Sequence, residues 1–360
     1  MKFRHLMTLL FGFMLVLTGV GKANQSPEVK LQGAGASFPA PLYNRWFKEY
    51  SSAHQNVLVD YQSVGSANGV KSVLDHTVDF GASDAAMKPE DMAKVEGGVQ
   101  LFPMTAGCIV IGYNLKGVDD LKLSRKAYVG IFLGKVKRWN DPQIAAANPG
   151  MSLPHLPINV VVRADGSGTS YVFSKHLSAI SDEFNKSVGA NTMPNWPIGT
   201  KSKGNEGVTA SLMATPGSIG YIEYGYAKTQ NVPFARLENK SGKFVTADTV
   251  SGQAALASVA LPDDLIAWAS DPDAPGAYPI VTYTWLICYK KYTDKNKQQA
   301  LRDLIRYGLS DGQKQAESLG YIPLPESVVD KASAAVRNIT AKHRLNALTP
   351  LIDVLDKLKP

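Results

Sequence analysis

Apolar residues change their spacing several times along the chain. In residues 39–50 (PAPLYNRWFKEY), Leu42, Trp46, Phe47 and Tyr50 recur at helical intervals behind an early proline, which predicts a helix. Residues 57–62 (VLVDYQ) read as a strand, residues 65–68 as a joint, 69–76 as a second helix, and 78–81 as a return to strand. Further on come a strand at 108–113, a helix near 125–133, the strand 158–163 (INVVVR), a tight joint at 164–168 and a helix at 169–177. A second long β-type run, 282–289 (TYTWLICY), precedes helical segments at 297–308 and 311–319. Residues 325–360 read as largely helical and end in a stretch spaced to pack on its own domain. Short strands alternating with helices through Gly-rich joints predict an α/β protein.

Length turns this pattern into two units. At 360 residues, 44% of them hydrophobic and 19% charged, the chain is globular and long enough for two lobes. No repeat is visible, and no Pro- or Gly-rich linker cuts it into sequential halves. The formal charge of +7 includes Lys2, Arg4 and Lys22, so removing residues 1–23 leaves 7 − 3 = +4. Scattered over the surface, so small an excess predicts no nucleic-acid partner.

The first 23 residues carry a basic start, an apolar run over residues 7–20 and the small-residue end Gly21-Lys22-Ala23. That layout predicts a signal peptide cleaved after about Ala23, because the apolar run falls short of the ~20 residues a membrane span needs. No cysteine stands there to carry a lipid anchor. Cys108 and Cys288 are the only two cysteines. In an export compartment, a disulfide and two buried thiols are both compatible with them.

Three places share one design, a small hydroxyl residue in a Gly-rich joint just before a helix: GAGASF (33–38), GSANG (65–69) and RADGSGTS (163–170). Helix N-termini expose unpaired N–H groups and partial positive charge, so each can hold an oxyanion. One such joint is ordinary capping and turn chemistry, whereas three, the last with Arg163, point to an anion site.

Enzyme signatures fail in the same stretches. The dinucleotide fingerprint lacks its third glycine, the phosphate loop of nucleotide hydrolases is absent, and Ser167 does not stand in G-x-S-x-G. Beyond residue 23 the histidines are His54, His76, His155, His176 and His343, none at paired metal spacing, so no metal or other cofactor is expected. His176, one to two turns into a helix, is expected to be a surface or capping residue.

The stretches GAGASFPAP (33–41), VDFGASD (78–84), RADGSGTS (163–170) and GSIGYIEY (217–224) resemble, in family order, the periplasmic phosphate-binding proteins of bacterial phosphate-specific ABC importers, the PstS family. The similarity runs from about Leu31 to about Val336. It implies a two-lobed periplasmic solute-binding fold of the type II kind, with phosphate trapped in a cleft between lobes joined by two β crossings. Lobe 1 would comprise residues 24–107 plus 282–360, and lobe 2 residues 108–281, with the crossings near Cys108 and Cys288.

Residue by residue, the resemblance implies phosphate contacts from the backbone at Ser37 and Phe38, the Ser66 hydroxyl, the Asp84 carboxylate and the Arg163 guanidinium. Ser167, Gly168 and Thr169 would complete the cage, and Asp165 would hold Arg163. The family often has Thr where Ser37 stands, which keeps the donor, and Ala67-Asn68 replaces small residues after Ser66. The implied protein is a periplasmic monomer that binds inorganic phosphate and delivers it to permease subunits, with no catalysis. The rival reading is a secreted phosphatase with Ser37 or Ser167 as nucleophile. A third is an exported surface or signalling protein that keeps the fold without the ligand.

Overall fold

The computed structural model describes residues 28–342. The signal segment and the tail helix expected near the C-terminus lie outside the described residues. The chain opens with β1 (Val29–Gly35), α1 (Ala40–Ala53), β2 (Val57–Ser63), α2 (Ser66–Leu74) and β3 (Phe80–Ser83). β4 (Val99–Tyr113) then runs through the centre, followed by α3 (Arg125–Phe132), β5 (Asn159–Arg163) and α4 (Gly168–Ile180). Next come β6 (Thr200–Ser202), α5 (Gly204–Ala214), β7 (Ser218–Glu223) and α6 (Tyr224–Gln230). The chain returns through β8 (Ala269–Ser270) and β9 (Ile280–Tyr289) to α7 (Lys295–Leu309) and α8 (Glu326–Ala335).

Eight of these strands form one curled, mixed sheet in the order β2-β1-β3-β9-β4-β7-β5-β6, and β8 pairs with β9. Every residue of β4 and of β9 is buried, as expected for strands at the middle of a sheet with both faces covered. β4 changes partner midway. Its residues up to Cys108 pair antiparallel with β9, and from Ile109 onward it pairs antiparallel with β7. One strand thus belongs to two sets of neighbours, which is how the chain passes from one half of the molecule to the other.

The two thiols are free and buried. Cys108 faces Val281 at the start of β9, whereas Cys288 faces Gln100 at the far end of the ladder, roughly 25 Å away by strand rise. No disulfide can close that gap. Over Val281 to Tyr289, β9 pairs with the part of β4 that precedes Ile109.

α1 buries Leu42, Trp46, Phe47 and Tyr50 as its spacing predicts, together with Tyr43. Trp46 closes the contact with a 2.9 Å hydrogen bond from Nε1 to the Gly312 carbonyl. Beyond residue 338 the helical expectation fails: Thr340–Ala341 is a short strand paired with Lys291–Tyr292. Gln298 donates to the Ile339 carbonyl at 2.9 Å, so tertiary contacts hold this segment extended against α7.

Candidate functional site

The three joints converge. Ser37 lies between β1 and α1, Ser66 opens α2, and Ser167 caps α4 by accepting from the Ser170 N–H at 3.0 Å. Gly65, just before α2, has φ +94°, a conformation that glycine tolerates and that turns Ser66 inward. Across this joint the Ala67 N–H donates to the Gly166 carbonyl at 2.9 Å, so α2 meets the loop before α4 directly.

Arg163 ends β5 almost wholly buried, its side chain 1% exposed. Its Nε donates to Asp165 Oδ1 at 2.8 Å, its Nη2 donates to Oδ2, and its Nη1 reaches Thr169 Oγ1 at 3.4 Å. Asp165 also accepts from the Gly204 N–H at 3.0 Å. Burial alone would push its carboxyl up, but the guanidinium beside it holds Asp165 below the usual carboxylate range.

Asp84 follows β3 and is 1% exposed. Its N–H donates to Ser66 Oγ at 3.2 Å, and its Oδ1 accepts from the Thr284 hydroxyl at 2.8 Å. Burial raises its pKa to about 7, an effect that the Thr284 hydrogen bond and the charge of Arg163 only partly offset. Burial therefore makes this carboxyl far easier to protonate than an ordinary aspartate.

Gly168 shows how tightly the parts meet. A Cβ there would lie 2.5 Å from Ser66 Oγ and 2.7 Å from Asp84 Oδ2, distances that no side chain tolerates. Ser37, Ser66, Asp84, Arg163, Gly168 and Thr169 are thus gathered at one buried place, with Asp165 behind Arg163. Phe38 sits beside them, its carbonyl accepting from Tyr321 OH at 2.7 Å. Ser167 is also there, but its backbone N–H is spent on the Thr192 carbonyl at 2.8 Å and only its hydroxyl proton remains. A cleft of about 380 Å³ reaches Ser66 between α2, Ser83 to Lys88 and Asn191-Thr192.

Sequence reasoning missed Asn205. This residue at the start of α5 donates its backbone N–H and its Nδ2 to Ser37 Oγ, both at 3.0 Å, and its Nδ2 to Thr169 Oγ1 at 3.1 Å. The signal was available, since Gly204-Asn205-Glu206-Gly207 is a fourth Gly-rich joint before a helix, with Asn in place of Ser. Also missed were Thr284, Tyr226, whose OH donates to the Ser37 carbonyl at 2.6 Å, and Tyr321.

His176 corrects an expectation. It is 3% exposed, Nε2 lies 2.9 Å from Tyr128 OH, and burial drives its pKa down to about 3, so it is a neutral core residue. Among the described residues no group of three or more His, Cys, Asp or Glu is placed to hold a metal ion, and no helix is long and apolar enough to cross a membrane.

A buried pocket where helix N-termini meet, in an α/β molecule whose two halves share a central strand, is the arrangement of solute-binding proteins. Residues 21–312 match the family model of the PBP superfamily domain. The phosphate-binding protein PstS of Xylella fastidiosa (strain Temecula1) is 37% identical over 316 residues, covering 87% of this chain and 86% of the relative. PstS of Pasteurella multocida is 38% identical over 310 residues, covering 84% and 89%. Among solved structures, a high-affinity periplasmic phosphate-binding protein named PfluDING, bound with phosphate, superposes with a TM-score of 0.68 at 20% identity. It covers 88% of this chain and 100% of that one. The chain belongs to the PstS family of phosphate-binding proteins, whose members are substrate-binding proteins and not enzymes.

Proposed function

We propose that this chain captures inorganic phosphate in the periplasm and delivers it to the membrane permease of an ABC importer, without catalysis. Lobe 1 is residues 24–107 plus 282–360 and lobe 2 is residues 108–281. The change of partner along β4 at Cys108 and Ile109 supports that division. The exported protein acts as a monomer after removal of residues 1–23.

The observation that carries this reading is the convergence at Gly168, which brings Ser66 and Asp84 against the N-terminus of α4 beside Arg163. Phosphate gives up its water for hydroxyls from Ser37, Ser66, Ser167 and Thr169, the guanidinium of Arg163 and backbone N–H groups at helix starts, among them those at Phe38 and Gly168. Asp165 balances the charge of Arg163, so directed hydrogen bonds dominate the binding. Asp84 takes or shares the proton that phosphate carries and sulfate lacks.

A titration of the purified protein with phosphate, sulfate and arsenate tests the function, run beside an assay with a generic phosphomonoester and metal ions. Tight, stoichiometric phosphate binding without turnover is expected. Sustained hydrolysis would replace this reading with the phosphatase, and no phosphate binding at all would favour the surface or signalling protein.

A further inference from the structure

We infer that Asn205 sets the direction of two hydroxyl hydrogen bonds in the pocket, fixing Ser37 and Thr169 as donors and so reserving those points for a ligand oxygen that accepts. The inference rests on the phosphate-cage reading above and adds to it a residue that selects ligand chemistry without belonging to the set of contacts.

The orientation of the Asn205 amide is settled by its surroundings. Its Oδ1 accepts from the Glu223 N–H at 2.9 Å, and a backbone N–H can only donate. The NH₂ must then face the two hydroxyls, and its two protons match the two partners, Ser37 Oγ and Thr169 Oγ1. A hydroxyl has two acceptor positions and one proton. At Ser37 both acceptor positions are filled by Asn205, one from its backbone N–H and one from Nδ2. At Thr169 they are filled by Asn205 Nδ2 and by Arg163 Nη1, again groups that only donate. Each hydroxyl is left with its proton alone to offer. That of Thr169 lies within reach of Asp84 as well as of the pocket, while that of Ser37 has no acceptor among the described residues.

The same contact completes α5. Lys203 at its N-cap position makes no side-chain hydrogen bond, and Ser37 Oγ, 168 residues away, accepts the Asn205 N–H that a capping residue would normally take. A hydroxyl at position 37 thus caps a helix from outside it, and the asparagine of that helix aims the hydroxyl's proton.

The test compares inorganic-phosphate affinity by calorimetry in the whole protein, in Asn205→Ala, in Asn205→Leu, in Ser37→Ala and in the Ser37→Ala/Asn205→Ala double variant. Leu keeps most of the volume and offers no donor. Both Asn205 variants are expected to bind about tenfold or more weakly. The cost of Asn205→Ala should shrink clearly once Ser37 is already Ala, because half of what Asn205 directs is then gone. Thermal midpoints without ligand separate loss of aim from loss of fold. A merely structural role would lower the midpoint and leave phosphate affinity intact. Wild-type affinity in Asn205→Leu, or in Asn205→Ala if the Leu variant does not fold, would overturn the inference, as would strictly independent costs in the double variant. Failure of the unaltered protein to bind phosphate would instead overturn the cage itself.

Discussion

Thr284 donates its hydroxyl to Asp84 Oδ1 at 2.8 Å, joining two residues 200 positions apart. One carboxyl oxygen is thereby fixed against β9. The other, Oδ2, faces Gly168 at the start of α4, where the ligand is proposed to sit. Asp84 is therefore aimed by a residue on the central strand, and burial, working against that hydrogen bond, raises its pKa to about 7.

Selectivity should depend on pH through this group. Above about pH 8 an ionised Asp84 only accepts, so phosphate, which still has a proton, is held and sulfate faces it acceptor to acceptor. Below about pH 6 the carboxyl is protonated and can donate to sulfate. The preference for phosphate over sulfate is expected to fall as pH is lowered through 7, and competition titrations at the two ends measure it. A ratio that stays constant would remove Asp84 from the discrimination.

Stability of the empty protein should move with the same titration. Burial raises the folded pKa of Asp84 from an ordinary 3.8 to about 7, so the folded state holds the proton more tightly than the unfolded one. Its contribution is fully present below about pH 4 and is lost as pH rises through about 7, at about 1.4 kcal/mol for each pH unit crossed between those values. Asp84→Asn is expected to raise the thermal midpoint at pH 8 relative to wild type and to have little such effect at low pH. Equal midpoints at pH 8 would show that burial of this charge costs nothing.

Arg163→Lys should weaken phosphate binding more than retention of charge suggests. The guanidinium gives Nε and Nη2 to Asp165 and Nη1 toward Thr169, all in one plane. An ammonium cannot serve Asp165 in that fork and still face the ligand. The loss of one charge-assisted bond is about 1.5–3 kcal/mol, roughly tenfold to a hundredfold in affinity. Unchanged affinity in the lysine variant would exclude Arg163 from direct contact.

The legible part of the site is the part built from joints. Gly-rich turns carrying Ser ahead of helical spacing mark Ser37, Ser66 and Ser167 locally, because chain reversal and helix capping are short-range demands. Asn205 belongs to a joint of the same kind and escapes a search for hydroxyls only because its side chain is an amide. Thr284 leaves no such mark. It lies in a run whose ten residues are all buried, where a threonine reads as strand core, and only the pairing of β9 beside β3 brings it to Asp84. Tyr321 and Tyr226 act across 283 and 189 residues, so no local pattern announces them. The alternation of strands and helices identifies the fold class, but the register of β9 against β4, which sets Cys108 opposite Val281 and Cys288 opposite Gln100, is not contained in periodicity.

Gly168→Ala offers the sharpest test of the assembled pocket. The backbone at Gly168 needs no left-handed conformation, and it is the first residue of α4, where alanine is the better helix former. Folding of the helix itself should therefore be unharmed. What opposes the methyl group is space, since it would come within 2.5 Å of Ser66 Oγ and 2.7 Å of both Cβ and Oδ2 of Asp84. Under the proposed lobe division those atoms belong to lobe 1 and α4 to lobe 2, so the clash would be relieved by parting the two sides of the pocket. Overpacking of this kind costs roughly 1–3 kcal/mol, or about fivefold to 150-fold in affinity. The variant is expected to keep its thermal midpoint without ligand, to bind phosphate more weakly by that factor, and to show no contraction in small-angle scattering at phosphate concentrations that saturate the wild type. Wild-type affinity in Gly168→Ala would mean that phosphate does not require Ser66 and Asp84 to close against α4.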